Sequence, residues 1–153
     1  MIITEELAGR ALNIVEPTIY KLLEECQPLK IPDHLWIAVK APGTTTMYFE
    51  RTIESQQRRL ELGENKNFRT IAEKLRRVAE REQQNTSVVA QTAPWRLAED
   101  ELAIAGGAYK NEISVGVAGA HNTVNEGIAM LIIDTIITLV FADAEKTREW
   151  PKT

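Results

Sequence analysis

The chain has 153 residues and a mass of 17.2 kDa, with 44% hydrophobic and 26% charged residues. Those are the proportions of one ordinary globular domain, able to bury roughly two thirds of its unfolded surface without disulfides or metals. The net charge of -4 and the pI near 5.3 exclude wholesale nucleic-acid binding, which needs a surplus of cations on one face, and a single cysteine, Cys26, excludes an internal disulfide and any CxxC redox or zinc pattern.

The lone thiol suits a reducing compartment. Met1 to Ala8 carry two acids and no basic segment ahead of an apolar core, unlike a secretory leader, so a cytoplasmic location is expected. Thr4 followed by Glu5 and Glu6 starts a helix, with a capping oxygen and negative charge at the positive end of the dipole. Leu7, Ala11, Leu12, Val15, Ile19, Leu22 and Leu23 continue it at helical spacing to about Glu25. Pro17 lies inside this stripe and predicts a kink or a break, because it removes one backbone bond and crowds the preceding turn.

Pro28 and Pro32 bracket a connection. The apolar run Leu35 to Ala41, the turn Pro42-Gly43-Thr44 and the β-branched, aromatic stretch Thr45 to Thr52 then predict an antiparallel hairpin. Long charged residues follow, interrupted at Gly63 to Lys66, and Phe68, Ile71, Leu75, Val78 and Ala79 mark an amphipathic helix. Its other side carries Arg69, Lys74, Arg76, Arg77 and Arg81 among Glu73, Glu80 and Glu82. Such a mixture reads as a solvated face laced by i,i+4 pairs, or else as a patch that docks a partner.

Thr86 to Asp100 has no clear period and reads as loop with one short helical turn. Asn85-Thr86-Ser87 matches the glycosylation sequon, a match without consequence off the secretory route. Leu102 to Tyr109 and Glu112 to Ala120 predict a second hairpin joined through Lys110 and Asn111, and a final helix starts after His121 and Asn122. Hairpin pairs alternating with helices favour an α+β fold with an antiparallel sheet. The apolar run Ile128 to Ala142, broken by Asp134, is shorter than a membrane span. In it Ile128, Leu131, Ile132, Thr135 and Leu139 suit the sheet, while Met130, Ile133, Ile137 and Phe141 lie around the other side. A helix apolar on most of its circumference needs burial on two sides, so a homo-oligomer assembled through this helix is expected.

The segment Ala103 to Tyr109 with its Gly106-Gly107 pair, the strand Val115-Gly116-Val117-Ala118-Gly119-Ala120, and Asn125-Glu126 opening the last helix together resemble the GlcG/HbpS family, which includes heme-binding proteins and domains like the PduO C-terminal domain. Ile71 to Lys74 and Thr86-Ser87 also match its pattern, and Trp36 to Val39 sit where it has its first strands. The chain departs from the pattern at Ala118, where a serine is usual, and at Asn125, which replaces an acid. The resemblance implies one profilin-like domain over residues 1–153, an antiparallel sheet of two hairpins with helices packed on it, oligomeric assembly and, in some members, binding of heme or a related tetrapyrrole. It implies no shared reaction.

The candidate ligand site is the glycine-rich hairpin with the loop after it: Gly106, Gly107, Tyr109, Gly119, His121, Asn122, Asn125 and Glu126. His121 precedes a helix N-terminus, where amides and dipole favour an anionic group and a neutral imidazole, and a neutral imidazole can ligate iron. Capping or plain exposure is the simpler explanation of it, as sheet packing is of the glycines. His34 reads as a solvent-edge residue. These glycines do not spell GxGxxG, no metal-ligand spacing occurs, and Ser114 and Cys26 lack a nucleophile's context. A small oligomeric binding or sensor domain is therefore the first expectation. A structural protein that docks a partner is the second, and a small enzyme acting on a hydroxy acid or aldehyde is the third.

Overall fold

The computed structural model describes residues 3–26, 31–32, 34–52, 59–60 and 67–146. Pro28 and the Gly63 to Lys66 interruption lie outside them. Thr4 caps the first helix: its Oγ1 accepts the Leu7 amide at 3.1 Å, satisfying a donor the first turn leaves orphaned. Helix α1 then runs from Glu5–Cys26 without a break, so Pro17 is absorbed and does not split it.

Two short strands, β1 (Ile31–Pro32) and β4 (Arg59–Leu60), pair in parallel. The main sheet has four strands in the order β3-β2-β6-β5, from β2 (His34–Lys40), β3 (Met47–Thr52), β5 (Gly107–Lys110) and β6 (Ile113–Ala118), with every neighbouring pair antiparallel. The two expected hairpins thus lie side by side, joined by β2 and β6 in a register that sets Trp36 opposite Ala118 and Lys40 opposite Ser114. The fold is α+β. The second hairpin is shorter than expected: residues 102–106 are not strand. Gly106 sits at φ +140, a conformation that takes the chain out of the pleat. Asn111 and Glu112, at φ +51 and +65, form the tight link, as a two-residue hairpin loop requires.

Strand alternation sorts the core into two layers. Leu35, Ile37, Val39, Ile113, Val115 and Val117 join α1 and the final helix, α4 (Asn122–Lys146), in the larger apolar cluster. The opposite face carries Ala38 and Ala118 beneath α2 (Phe68–Glu82). Because helices cover both faces, all six residues of β6 are buried. The α2 side is lined with small residues for a steric reason. A Cβ built on Gly116 lands on the Ala72 carbonyl oxygen and comes within 2.8 Å of the Arg76 nitrogen, and one on Gly107 comes within 2.5 Å of the Leu75 carbonyl. Helix backbone therefore lies almost directly on strand backbone.

That approach overturns one expectation about α2. Arg76 is 3% exposed and Glu73 is also buried, so the charged residues do not all belong to a solvated face. The Arg76 Nε and Nη2 donate to the two Glu73 carboxylate oxygens at 2.9 and 2.7 Å, and Nη1 donates to Glu80 and, at 2.9 Å, to the Ser114 Oγ. A buried guanidinium is tolerated when its donors are met in this way.

The stretch read as loop contains a true helix, α3 (Thr86–Thr92), and a 3-10 turn at Pro94–Arg96. Side chains at the start of α3 reach across to β5: the Gly107 amide donates to the Thr86 Oγ1 at 3.0 Å and the Tyr109 amide to the Asn85 Oδ1 at 3.1 Å. In α4 the inward residues are Ile128, Ala129, Ile132, Ile133 and Ile136. Ile133 is thus on the core side, contrary to expectation, while Leu131 and Leu139 are only half-buried. The complete helix, 25 residues with a mean hydropathy of 2.0 over its most apolar stretch, is long and apolar enough to cross a membrane, although the run noted in the sequence alone is not. One side of it is nevertheless the domain's own core.

Two glycine substitutions should separate packing from propensity. Gly116→Ala forces α2 off the sheet and should lower unfolding free energy by about 3 kcal/mol, the upper range for an overpacked core. Gly127→Ala, in α4 with no described atom within 4 Å of the added carbon, should raise it by up to about 1 kcal/mol. Urea unfolding followed by circular dichroism reads both.

Candidate functional site

The eight residues singled out in the sequence do not gather in one crevice. Gly106 and Gly107 are buried against α2, where Leu75 and Thr86 occupy the space a side chain would take. Gly119, at φ +126, lies against the His34 carbonyl. Asn125 is buried and closes a ring with Ala120: its Oδ1 accepts the Ala120 amide and its Nδ2 donates to the Ala120 carbonyl, each at 3.0 Å. That pair fixes the entry into α4.

Glu126 is buried beside it and organises a wider junction. Its carboxylate accepts the Ser87 amide at 2.9 Å, the Thr86 hydroxyl at 3.3 Å, the Gly106 amide at 3.4 Å, and the Ser87 hydroxyl. The carboxylate lies at the first turn of α3 and takes up an amide that the helix leaves orphaned. Asn125 and Glu126 are thereby committed to tying α4, α3 and the start of β5 together. His121 and Asn122 are exposed at the mouth of α4, and the His121 carbonyl accepts the Asn125 amide at 2.8 Å.

A heme at the glycine hairpin would need a flat slot with apolar walls. Here α2 fills that space, and Asn125 and Glu126 are already bonded within the subunit. The residues of one subunit do not fit the group at this place. Among the described residues there is also no cluster of three or more His, Cys, Asp or Glu side chains able to hold a metal ion.

Tyr109 belongs to the opposite end of the sheet, paired with Ser114 in the second residue of β6. There the C-terminal half of α2, the turn after β2 and the turn after β5 enclose an open cavity of about 600 Å3, lined by Lys40, Gly43, Arg77, Glu80, Arg81, Gln83, Tyr109 and Glu112 among others. Three of its charged groups are occupied: Lys40 Nζ meets Glu80 at 3.1 Å, and Arg81 Nη1 meets Glu101 at 2.7 Å. Others are not. Arg77 donates through Nε to Glu73 at 3.0 Å, which leaves its terminal nitrogens without a bond to any described residue. The Tyr109 hydroxyl and the Glu112 carboxylate likewise have no partner among the described residues. A smaller hollow of about 310 Å3 shares Arg77 and is lined by Tyr48, Arg69 and Lys74, with Arg69 stacked 4.1 Å above the Tyr48 ring.

Sequence reading missed this cavity because its walls come from three segments remote in the chain. The usable signal was the i,i+4 pair Arg77 and Arg81 near the end of a helix that packs on glycines. The lining residues Lys40, Arg77, Glu80 and Arg81 take part in ion pairs that set its electrostatics. Burial pushes the Glu73 carboxyl up, but hydrogen bonds and charge from Arg76 and Arg77 outweigh burial and hold it below the ordinary 4.5. Glu80 follows the same pattern under Arg76 and Lys40. Arg81 first, against some desolvation, holds Glu101 down as well.

With this geometry in hand, the chain can be set beside known proteins. No family model matches it, and no curated protein does. Among solved structures it resembles the crystal structure of Klebsiella pneumoniae protein ORFY, a DUF336 protein, with a TM-score of 0.54 and 17% identity over 88% of this chain and 90% of that one. DUF336 is the GlcG-like family, so the likeness extends the resemblance in sequence to one of fold.

The depressed carboxylates make a pH prediction. A folded value below the unfolded one contributes stability that is complete above about 4.5 and is lost as pH falls through the folded values. The urea midpoint should be flat from neutral to mildly acid pH and fall below pH 4.5. Glu73→Gln should flatten part of that acid limb while lowering the neutral plateau.

Proposed function

We propose that this domain binds a small hydrophilic anion or zwitterion in the cavity between α2 and the two hairpin turns. The observation that carries the reading is the lining of one cavity by three residues that keep polar atoms without a hydrogen bond to any described residue: Arg77 at its outer nitrogens, Tyr109 at its hydroxyl and Glu112 at its carboxylate. Arg77 and Glu112 are exposed and Tyr109 is half-buried, so all three are open to a ligand, and a concave site holding a few polar groups is the usual form of a small-molecule site. Guanidinium nitrogens in a fork match a carboxylate or phosphate. Glu112, three residues from Tyr109, suits a hydroxyl or ammonium on the same ligand. Five charged side chains in the lining, Lys40, Arg77, Glu80, Arg81 and Glu112, favour a hydrophilic ligand over a macrocycle.

The GlcG-like fold supports a small α+β domain and no particular ligand. The tetrapyrrole expectation therefore rests on the resemblance in sequence and on the exposed His121. Docking of a protein partner would use Arg69, Lys74 and Arg77, because Arg76 is buried.

Amide chemical-shift titrations of the labelled protein with phosphate, citrate and triglycine test the reading. At least one should move the Gly43, Arg81, Gln83 and Tyr109 amides together and saturably, and Arg77→Gln with Tyr109→Phe should weaken it by tenfold or more. Silence at those amides with all three probes sinks the proposal. A parallel hemin titration should give no saturable, His121-dependent Soret shift of one equivalent per subunit.

A further inference from the structure

Helix α4 gives one side to the core and leaves the other bare. Gly127, Met130, Asp134, Thr138 and Phe141 are all exposed, and their steps of three, four, four and three residues are the repeat of a helix-to-helix seam. Met130 is 46% and Phe141 61% exposed, with half-buried Leu131 and Ile137 on either flank. A single charge, Asp134, stands in the middle of the stripe, and Lys110 of β5 meets it at 2.9 Å.

We infer that this stripe is covered by the same stripe of a second copy, in an antiparallel pair of α4 helices with its two-fold axis at Asp134. The stripe is self-complementary about that residue. Gly127 and Phe141 are equally distant from it along the chain, as are Met130 and Thr138. An isologous pair therefore sets the largest protruding side chain of each copy over the one position where the other has none. Apart from the adjoining turns of its own helix, no described atom lies within 4 Å of where a Gly127 Cβ would be, so the seat is open. The two Asp134 carboxylates come to the axis each with its own Lys110, which leaves no uncompensated charge there. The helix has 25 residues, about 37 Å at roughly 1.5 Å per residue, and a strip of that length gives on the order of the several hundred Å2 per partner that a specific interface buries. This inference is independent of the ligand cavity.

Sedimentation equilibrium of the full chain tests it. The expected mass is about 34 kDa, twice the 17.2 kDa of one chain. Gly127→Leu fills the seat without touching the subunit's own packing. It should raise the dimer dissociation constant tenfold or more while circular dichroism and subunit stability are kept or improved. Phe141→Asp should give monomer with the same spectrum. Asp134→Cys in a Cys26→Ser background, needed because Cys26 is exposed, should oxidise to a covalent dimer across the axis. A wild-type monomer at micromolar concentration overturns the inference, whether it stays in solution or partitions onto phosphatidylglycerol vesicles. So does a dimer that neither Gly127→Leu nor Phe141→Asp weakens.

Discussion

The contact on which this fold depends is the seating of α2 on β5 and β6 at Gly107 and Gly116, with helix carbonyls where side chains would otherwise be. Interiors are packed too closely to absorb an added methyl there. The approach has consequences in both directions. Inward, it draws Arg76 under the helix and obliges Glu73, Glu80 and Ser114 to receive its donors. Outward, it holds the C-terminal half of α2 above the two hairpin turns, and the cavity lined by Arg77 and Tyr109 is the gap left between them.

A second junction, at Glu126, sets the other end of the sheet. One carboxylate collects donors from α3 and from Gly106, while Asn125 fixes the loop ahead of it. The two ends of the molecule therefore differ in kind. One is closed by internal hydrogen bonds, and the other keeps polar groups open to solvent and to whatever binds there.

Much of the fold was legible because it follows local rules. The stripe from Leu7 to Leu23, the strand Leu35 to Ala41 and the pattern Phe68 to Ala79 each carry their period in the residues themselves. Where reading failed, a distant contact decided. Thr86 to Thr92 lacks helical periodicity and is rich in β-branched residues, yet it becomes α3 because Glu126 satisfies its first turn from forty residues away. Arg76 looks like any surface arginine until Gly116 and Ser114 make room beneath it. Asn125, Glu126 and the glycines were read as candidate ligand residues, but their neighbours, supplied by the tertiary fold, make them packing and hydrogen-bond joints. Tyr109 was marked with them and has its own setting elsewhere.

The edge of β5 is not free to recruit another strand. Asn85 and Thr86 already accept the amides of Tyr109 and Gly107 that point away from the sheet, and an edge whose donors are spoken for is a poor template for strand addition. On that side the sheet ends at its own side chains. The tripeptide that looks like a glycosylation acceptor is thus a seal on that border, its first two side chains holding the amides that an added strand would need.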